Sequence, residues 1–84
     1  MIELETLKKK IIYRANYRGT KEMDILLSKF VDKYINTFNY DELINLYEIL
    51  KMDDDIIFKW FSGSVDNNEI EKTKVSELLK NFKL

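Results

Sequence analysis

Cysteine, histidine and proline are absent from this sequence, and glycine occurs only twice. Without cysteine there is no disulfide, no thiolate nucleophile and no thiolate ligand for a metal. Without histidine the usual zinc ligand sets are gone, as is the side chain most used for proton transfer near neutral pH. The lack of proline and of any Ser- or Gly-rich linker leaves punctuation to helix caps and to Gly19 and Gly63. No apolar run approaches the roughly 20 residues that a spanning helix needs, so direct membrane insertion is not expected. The N-terminal stretch lacks an apolar signal region and carries Glu3 and Glu5, acids that transit peptides avoid. A bacterial, cytoplasmic protein is the expectation.

What is present points to a folded chain. Hydrophobic residues make up 45% and charged residues 35% of the 84 positions, too apolar for a disordered tail and too charged for a membrane protein. That length has room for one domain, residues 1–84, with one core. A domain this small buries only about 60% of its unfolded surface, which leaves little space for an enclosed active site. The net charge of −1 conceals an uneven distribution. Lys8, Lys9, Lys10, Arg14, Arg18 and Lys21 face only Glu3 and Glu5 in the N-terminal segment, whereas Asp53, Asp54, Asp55, Asp66, Glu69 and Glu71 lie in the second half. Such polarity suits docking to a protein or to a phosphate backbone.

The hydrophobic period is helical throughout and predicts an all-α fold: a single compact bundle of about five short, mostly antiparallel helices. Helix one is expected over roughly Ile2 to Tyr17, with Leu4, Leu7, Ile11 and Ala15 inward and Lys10, Arg14, Tyr17 and Lys21 on a second stripe. Gly19 closes it, in the manner of glycines that take positive φ past a helix end. Thr20 caps helix two, whose first turns carry Glu22 and Asp24. Its apolar set of Met23, Leu26, Leu27, Phe30, Val31, Tyr34 and Phe38 is the most regular in the chain. Asn39 with Glu42 forms a capping box before Leu43, Leu46, Tyr47 and Leu50. Asp53 to Asp55 open a fourth helix, with Ile56, Ile57, Trp60 and Phe61 apolar and Gly63 as its stop. Asp66 and Glu69 read as another capping box, for a fifth helix from about Asn67 to Phe82 with Ile70, Val75, Leu78, Leu79 and Phe82 inward.

Candidate chemistry is sparse. Asp53 to Asp55 do not form a calcium loop, because the sixth position is Phe58 rather than glycine. They read as helix-start acids, and no metal is expected. Glu22, Asp24 and Glu42 are carboxylates with no sequence partner for acid–base work. Phosphate loops, nucleophile elbows and kinase signatures are missing, so no catalytic residue is assigned and the chain is not expected to be an enzyme. Most aromatics fall on the helical stripes and read as core. Tyr13 and Tyr17 differ, lying beside the basic stripe of helix one, where amphipathic rings serve binding surfaces. That stripe has three readings: a solvated face, a protein-docking face, or the nucleic-acid surface of a small helical adaptor. The net charge of −1 speaks against nucleic acid as partner.

From Lys10 to Phe30 the chain runs through Tyr13-Arg14-Ala15-Asn16-Tyr17-Arg18-Gly19-Thr20-Lys21-Glu22-Met23-Asp24. This stretch resembles the FAD assembly factors of succinate dehydrogenase, the SdhE-type flavinators with a bacterial and a mitochondrial branch. Their hallmark is Arg-Gly-x-x-Glu followed two residues later by Asp, matched by Arg18, Gly19, Glu22 and Asp24. A second block, from Tyr47 through the acidic turn to Trp60 and Gly63, is also similar to the family, and the resemblance covers about Lys8 to Gly63. Three positions depart from the common pattern: many relatives carry proline at Asp54, a second arginine at Tyr17 and an apolar residue at Thr20.

The resemblance implies a compact five-helix chaperone that binds the flavoprotein subunit of succinate dehydrogenase, and in some bacteria that of fumarate reductase; the chain itself is expected to be a monomer. It implies that the chain promotes covalent attachment of FAD to that subunit while holding no stable cofactor itself. The residues expected to bind the partner are Arg18, Gly19 and Glu22, flanked by Tyr13, Arg14, Tyr17, Lys21 and Asp24. Arg18 can offer a planar fork to a carboxylate or to carbonyls, Gly19 allows close backbone approach, and Glu22 can accept partner donors or fix Arg18 across the turn.

Overall fold

The computed structural model describes residues 2–63 and 70–83. Five helices follow in order: α1 (Leu4–Asn16), α2 (Lys21–Tyr34), α3 (Tyr40–Leu50), α4 (Asp54–Ser62) and α5 (Lys74–Lys80). The described residues contain helices and no strand.

α1 buries Leu7, Ile11 and Ala15, the i, i+4, i+8 row of one helix face. Leu4, expected in the same row, is 41% exposed, since it occupies the first helical residue at the rim of the bundle. α1 packs against both α2 and α3, and α3 in turn against α5. α2 contributes Met23, Leu26, Leu27, Phe30 and Val31, and α3 contributes Leu43, Leu46, Ile49 and Leu50. Ile57 and Trp60 of α4, with Val75 and Leu79 of α5, complete one contiguous core cluster. At one end Phe30, Tyr34, Phe38 and Phe82 gather. Tyr34 stacks on Phe38 at 5.1 Å, and Phe30 meets Phe82 edge-on at 5.3 Å, geometries that aromatic quadrupoles favour.

The helix ends follow local chemistry. Thr20 Oγ1 accepts from the Met23 N–H at 3.3 Å, and Asn39 with Glu42 makes the reciprocal capping box. Glu42 also reaches Lys74 at 3.1 Å, tying the start of α3 to α5. Its bond from the Asn39 N–H, and secondly its contact with Lys74, hold its carboxyl below the ordinary glutamate value. Gly63 stops α4 in the left-handed conformation, with φ 72°.

At the helix ends, three sequence expectations change. Gly19 does not end α1 by a positive φ, for Gly63 is the only described glycine with one. α5 begins at Lys74 and not near Asn67, because Thr73 is extended and forms its own capping box with Ser76. Ile70 is nonetheless buried ahead of the helix, and Phe82 packs on the core from beyond its end. Asp53 stands at the N-cap of α4 without a side-chain cap bond, and it is Asp54 whose carboxylate is engaged. The expected Asp66–Glu69 box and the Asn67 start lie outside the described residues.

Candidate functional site

The α1–α2 turn is organised by one arginine. Arg18 follows the Tyr17 C-cap and turns inward, its side chain 7% exposed. Nε donates to Asp54 Oδ1 at 2.7 Å, Nη1 to the Leu50 carbonyl at 2.7 Å and to the Arg14 carbonyl at 3.2 Å, and Nη2 to the Met52 carbonyl at 2.8 Å. The last carbonyls of a helix lack intrahelical donors and carry partial negative charge. Arg18 therefore supplies donors to the ends of α1 and α3 at once.

Asp54 is the complementary half. As the first residue of α4 it sits where a carboxylate is favoured. Its Oδ2 accepts from the Gly19 N–H and, at 3.1 Å, from the Thr20 N–H at the start of α2. Two side chains thus join the ends of α1 and α3 to the starts of α2 and α4. A Cβ on Gly19 would stand 3.0 Å from Asp54 Oδ2, so the glycine leaves room for close approach of the carboxylate and serves no unusual φ.

The sequence-derived site residues divide by this geometry. Gly19, Lys21 and Glu22 remain on the surface of the turn. Arg18 does not, since its fork is occupied within the chain, and Asp54 rather than Glu22 fixes it. Glu22 makes no side-chain hydrogen bond or ion pair among the described residues, and it lines an open, largely apolar hollow with Thr20, Met23, Asp54, Asp55 and Phe58. Asp24 is half-buried and its Oδ1 is enclosed without a hydrogen-bond partner.

Tyr13, Arg14 and Tyr17 lie together on α1. The two rings meet at a tilt of 37° with centroids 4.6 Å apart, while staying 64% and 72% exposed. With Thr6, Lys9, Lys10, Arg18 and Tyr47 they line a groove of about 470 Å³. The Arg14 guanidinium stands 5.7 Å over the Tyr47 ring. Lys21 lies outside this groove, so the stripe read from the sequence as Lys10, Arg14, Tyr17 and Lys21 parts at the turn.

Three participants were not singled out from sequence. Asp54 read as a helix-start acid and a departure, because nothing local links it to Arg18 thirty-six residues away. Tyr47 read as core, yet it is half-buried with one face in the groove. Phe58 is 52% exposed, and its position off the Ile57–Trp60 stripe of α4 was the available signal.

No group of three or more His, Cys, Asp or Glu side chains among the described residues is placed to hold a metal ion. No helix among them is long and apolar enough to cross a membrane. The fold and site define a small all-α protein whose exposed chemistry gathers at one inter-helix turn and along the adjoining face of α1.

Comparison with known proteins gives that class a family. A family model described as "Flavinator of succinate dehydrogenase" matches residues 9–83, and the chain belongs to this family. It is 34% identical to "FAD assembly factor SdhE" of Acetobacter pasteurianus over 70 residues, covering 83% of this chain and 64% of that protein. It is 36% identical to "Succinate dehydrogenase assembly factor 2-B, mitochondrial" of Drosophila mojavensis over 83 residues, covering 92% of this chain and 50% of the relative. With the Scheffersomyces stipitis "Succinate dehydrogenase assembly factor 2, mitochondrial" it shares 35% identity over 78 residues, covering 92% of this chain and 52% of the relative. The chain thus spans about half the length of the fly and yeast relatives. No solved structure matches it.

Proposed function

We propose that this chain is an assembly chaperone that binds the flavoprotein subunit of succinate dehydrogenase, and of fumarate reductase where that is present, and promotes covalent attachment of FAD. It acts as a monomer in the bacterial cytoplasm and holds no FAD stably itself. The bond-forming chemistry belongs to the flavin and the subunit, as membership of the family implies, and the lack of histidine and cysteine in this chain accords with that. The family match supports the partner.

The observation that carries the mechanism is the Arg18–Asp54 knot. By fastening four helix ends it fixes a turn whose outer surface is Gly19 between exposed Tyr17 and Glu22. Gly19 has no side chain, so a partner backbone can lie against the turn, and Glu22 is free to accept its donors. A rigid surface loses little entropy on docking and favours the one partner conformation it fits. Arg18 is accordingly a positioning residue that shapes the turn from within. In the direct test, purified chain, unflavinylated subunit and FAD are mixed, and flavin fluorescence that survives denaturation is followed. Faster covalent incorporation is expected; an unchanged rate overturns the reading.

A further inference from the structure

We propose that the groove along α1 is a second docking surface, one that receives an extended acidic segment of the flavoprotein subunit. This rests on the function proposed above and adds the chemistry of the segment recognised. Lys9, Lys10 and Arg14 converge on the groove, and among the described residues none of the three forms an ion pair. Lys8 turns elsewhere, donating to Asn36 Oδ1, and Glu48, the neighbour in sequence of the groove's Tyr47, is held by Lys51 at 3.0 Å. A chain of net charge −1 therefore keeps an unneutralised cationic strip on one helix face. Like charges held side by side repel, and an anionic partner relieves that repulsion.

The rings indicate what else the segment carries. Tyr13 and Tyr17 present adjoining, exposed rings, and the Tyr47 ring lies under the Arg14 guanidinium. Tyrosines in such a place offer broad apolar contact at low entropic cost, so an apolar or aromatic side chain among the acids fits them. Small-molecule sites enclose most of their ligand and are lined chiefly by apolar groups. This groove instead lies open beside two largely exposed tyrosines and is bordered by cations. From Thr6 to Tyr17 it runs about 16 Å at helical rise, the span of about five extended residues. It shares Arg14, Tyr17 and Arg18 with the hollow around Gly19, so one partner can occupy the turn and the groove together.

The test titrates unflavinylated subunit with wild-type chain and with the Lys9→Glu/Lys10→Glu variant at low and high salt. Both substitutions lie on exposed helix positions, and circular dichroism checks that the fold is kept. Loss of about tenfold or more in affinity at low salt, narrowing as salt rises, is expected. A photo-crosslinker at Tyr13 is expected to label a run rich in Asp and Glu. Wild-type binding matched by the variant at every salt, or crosslinks confined to neutral or basic segments, overturns the groove proposal and leaves the turn reading standing. Failure of the wild-type chain to bind overturns both. A single-stranded oligonucleotide bound as tightly as the subunit, with equal sensitivity to the variant, also overturns it.

Discussion

Arg18 and Asp54 meet at 2.7 Å across thirty-six residues of chain, and both are largely withdrawn from solvent, at 7% and 14% side-chain exposure. Removing one partner strands the other: without Asp54 the guanidinium keeps three carbonyl acceptors but no counter-charge, and the Gly19 and Thr20 N–H groups lose theirs. Breaking such a buried pair costs about 3–5 kcal/mol, a large share of the stability of a domain of this size. Asp54→Ala is expected to lower stability by about 3 kcal/mol in urea unfolding. Arg18→Ala with Asp54→Ala should cost at least about 1 kcal/mol less than the sum of the single changes. Simple additivity would show that the two side chains act separately.

Arg18→Lys separates charge from shape. An ammonium keeps the positive charge but cannot span Asp54, Leu50 and Met52 with a planar fork. A loss of about 1–3 kcal/mol is expected, with weaker partner binding as the turn loosens. Stability equal to wild type would mean that charge alone suffices at this position.

On the docking surface, Gly19→Arg places a long side chain on the outer face of the turn, and its Cβ already crowds Asp54 Oδ2 at 3.0 Å. Binding to the flavoprotein subunit should be abolished while far-UV circular dichroism shows helicity largely kept. Glu22→Ala should reduce flavinylation more than Glu71→Ala does, because Glu22 lies beside Gly19 on the turn and Glu71 lines a hollow with Trp60, Ile70 and Lys80. Equal effects would place docking elsewhere.

Much of this architecture was legible in the sequence, for a physical reason. Helix existence follows from local periodicity, so α2 was read with its cap, although the last of its seven expected apolar positions, Phe38, falls beyond the helix end at Tyr34, and α3 was read with its Asn39–Glu42 box. What was not legible depends on contacts between distant residues. Asp54 becomes Arg18's counter-ion only when α4 begins beside the α1–α2 turn, and nothing within a few residues of either position encodes that. The same applies to Gly19, which gives room to a carboxylate from another element and has no positive φ of its own. The start of α5 was missed through a local rival: Thr73 and Ser76 cap more directly than the acids upstream suggested.

Gly63 makes a stability prediction of the opposite kind, one of backbone alone. Its φ of 72° lies in the left-handed region, and among the described residues, its chain neighbours apart, none comes within 4 Å of where a Cβ would be built. Gly63→Ala therefore meets no neighbour and suffers only the left-handed strain, about 1–2 kcal/mol. Gly63→Asn should recover part of that loss, since asparagine tolerates this conformation better. Thermal unfolding that leaves alanine as stable as glycine would contradict the assignment of Gly63 as the α4 stop.

Glu42 supplies the pH dependence. Its carboxyl is lowered from the ordinary value of 4.5, first by the bond from the Asn39 N–H and then by Lys74. A carboxylate with a lower value folded than unfolded binds fewer protons in the native state, so its contribution is complete above the unfolded value. That contribution declines as pH falls through 4.5 and is lost below the lowered folded value. Glu42→Gln is expected to be less stable than wild type at neutral pH, and the gap should close in the acid range as wild-type Glu42 protonates. Lys74→Ala should remove part of this pH dependence and leave the part due to the Asn39 bond, the largest single cause. Urea midpoints measured across the acid range decide it: a gap between wild type and Glu42→Gln that stays constant into acid would show that the α3 cap does not depend on the charge of this carboxylate.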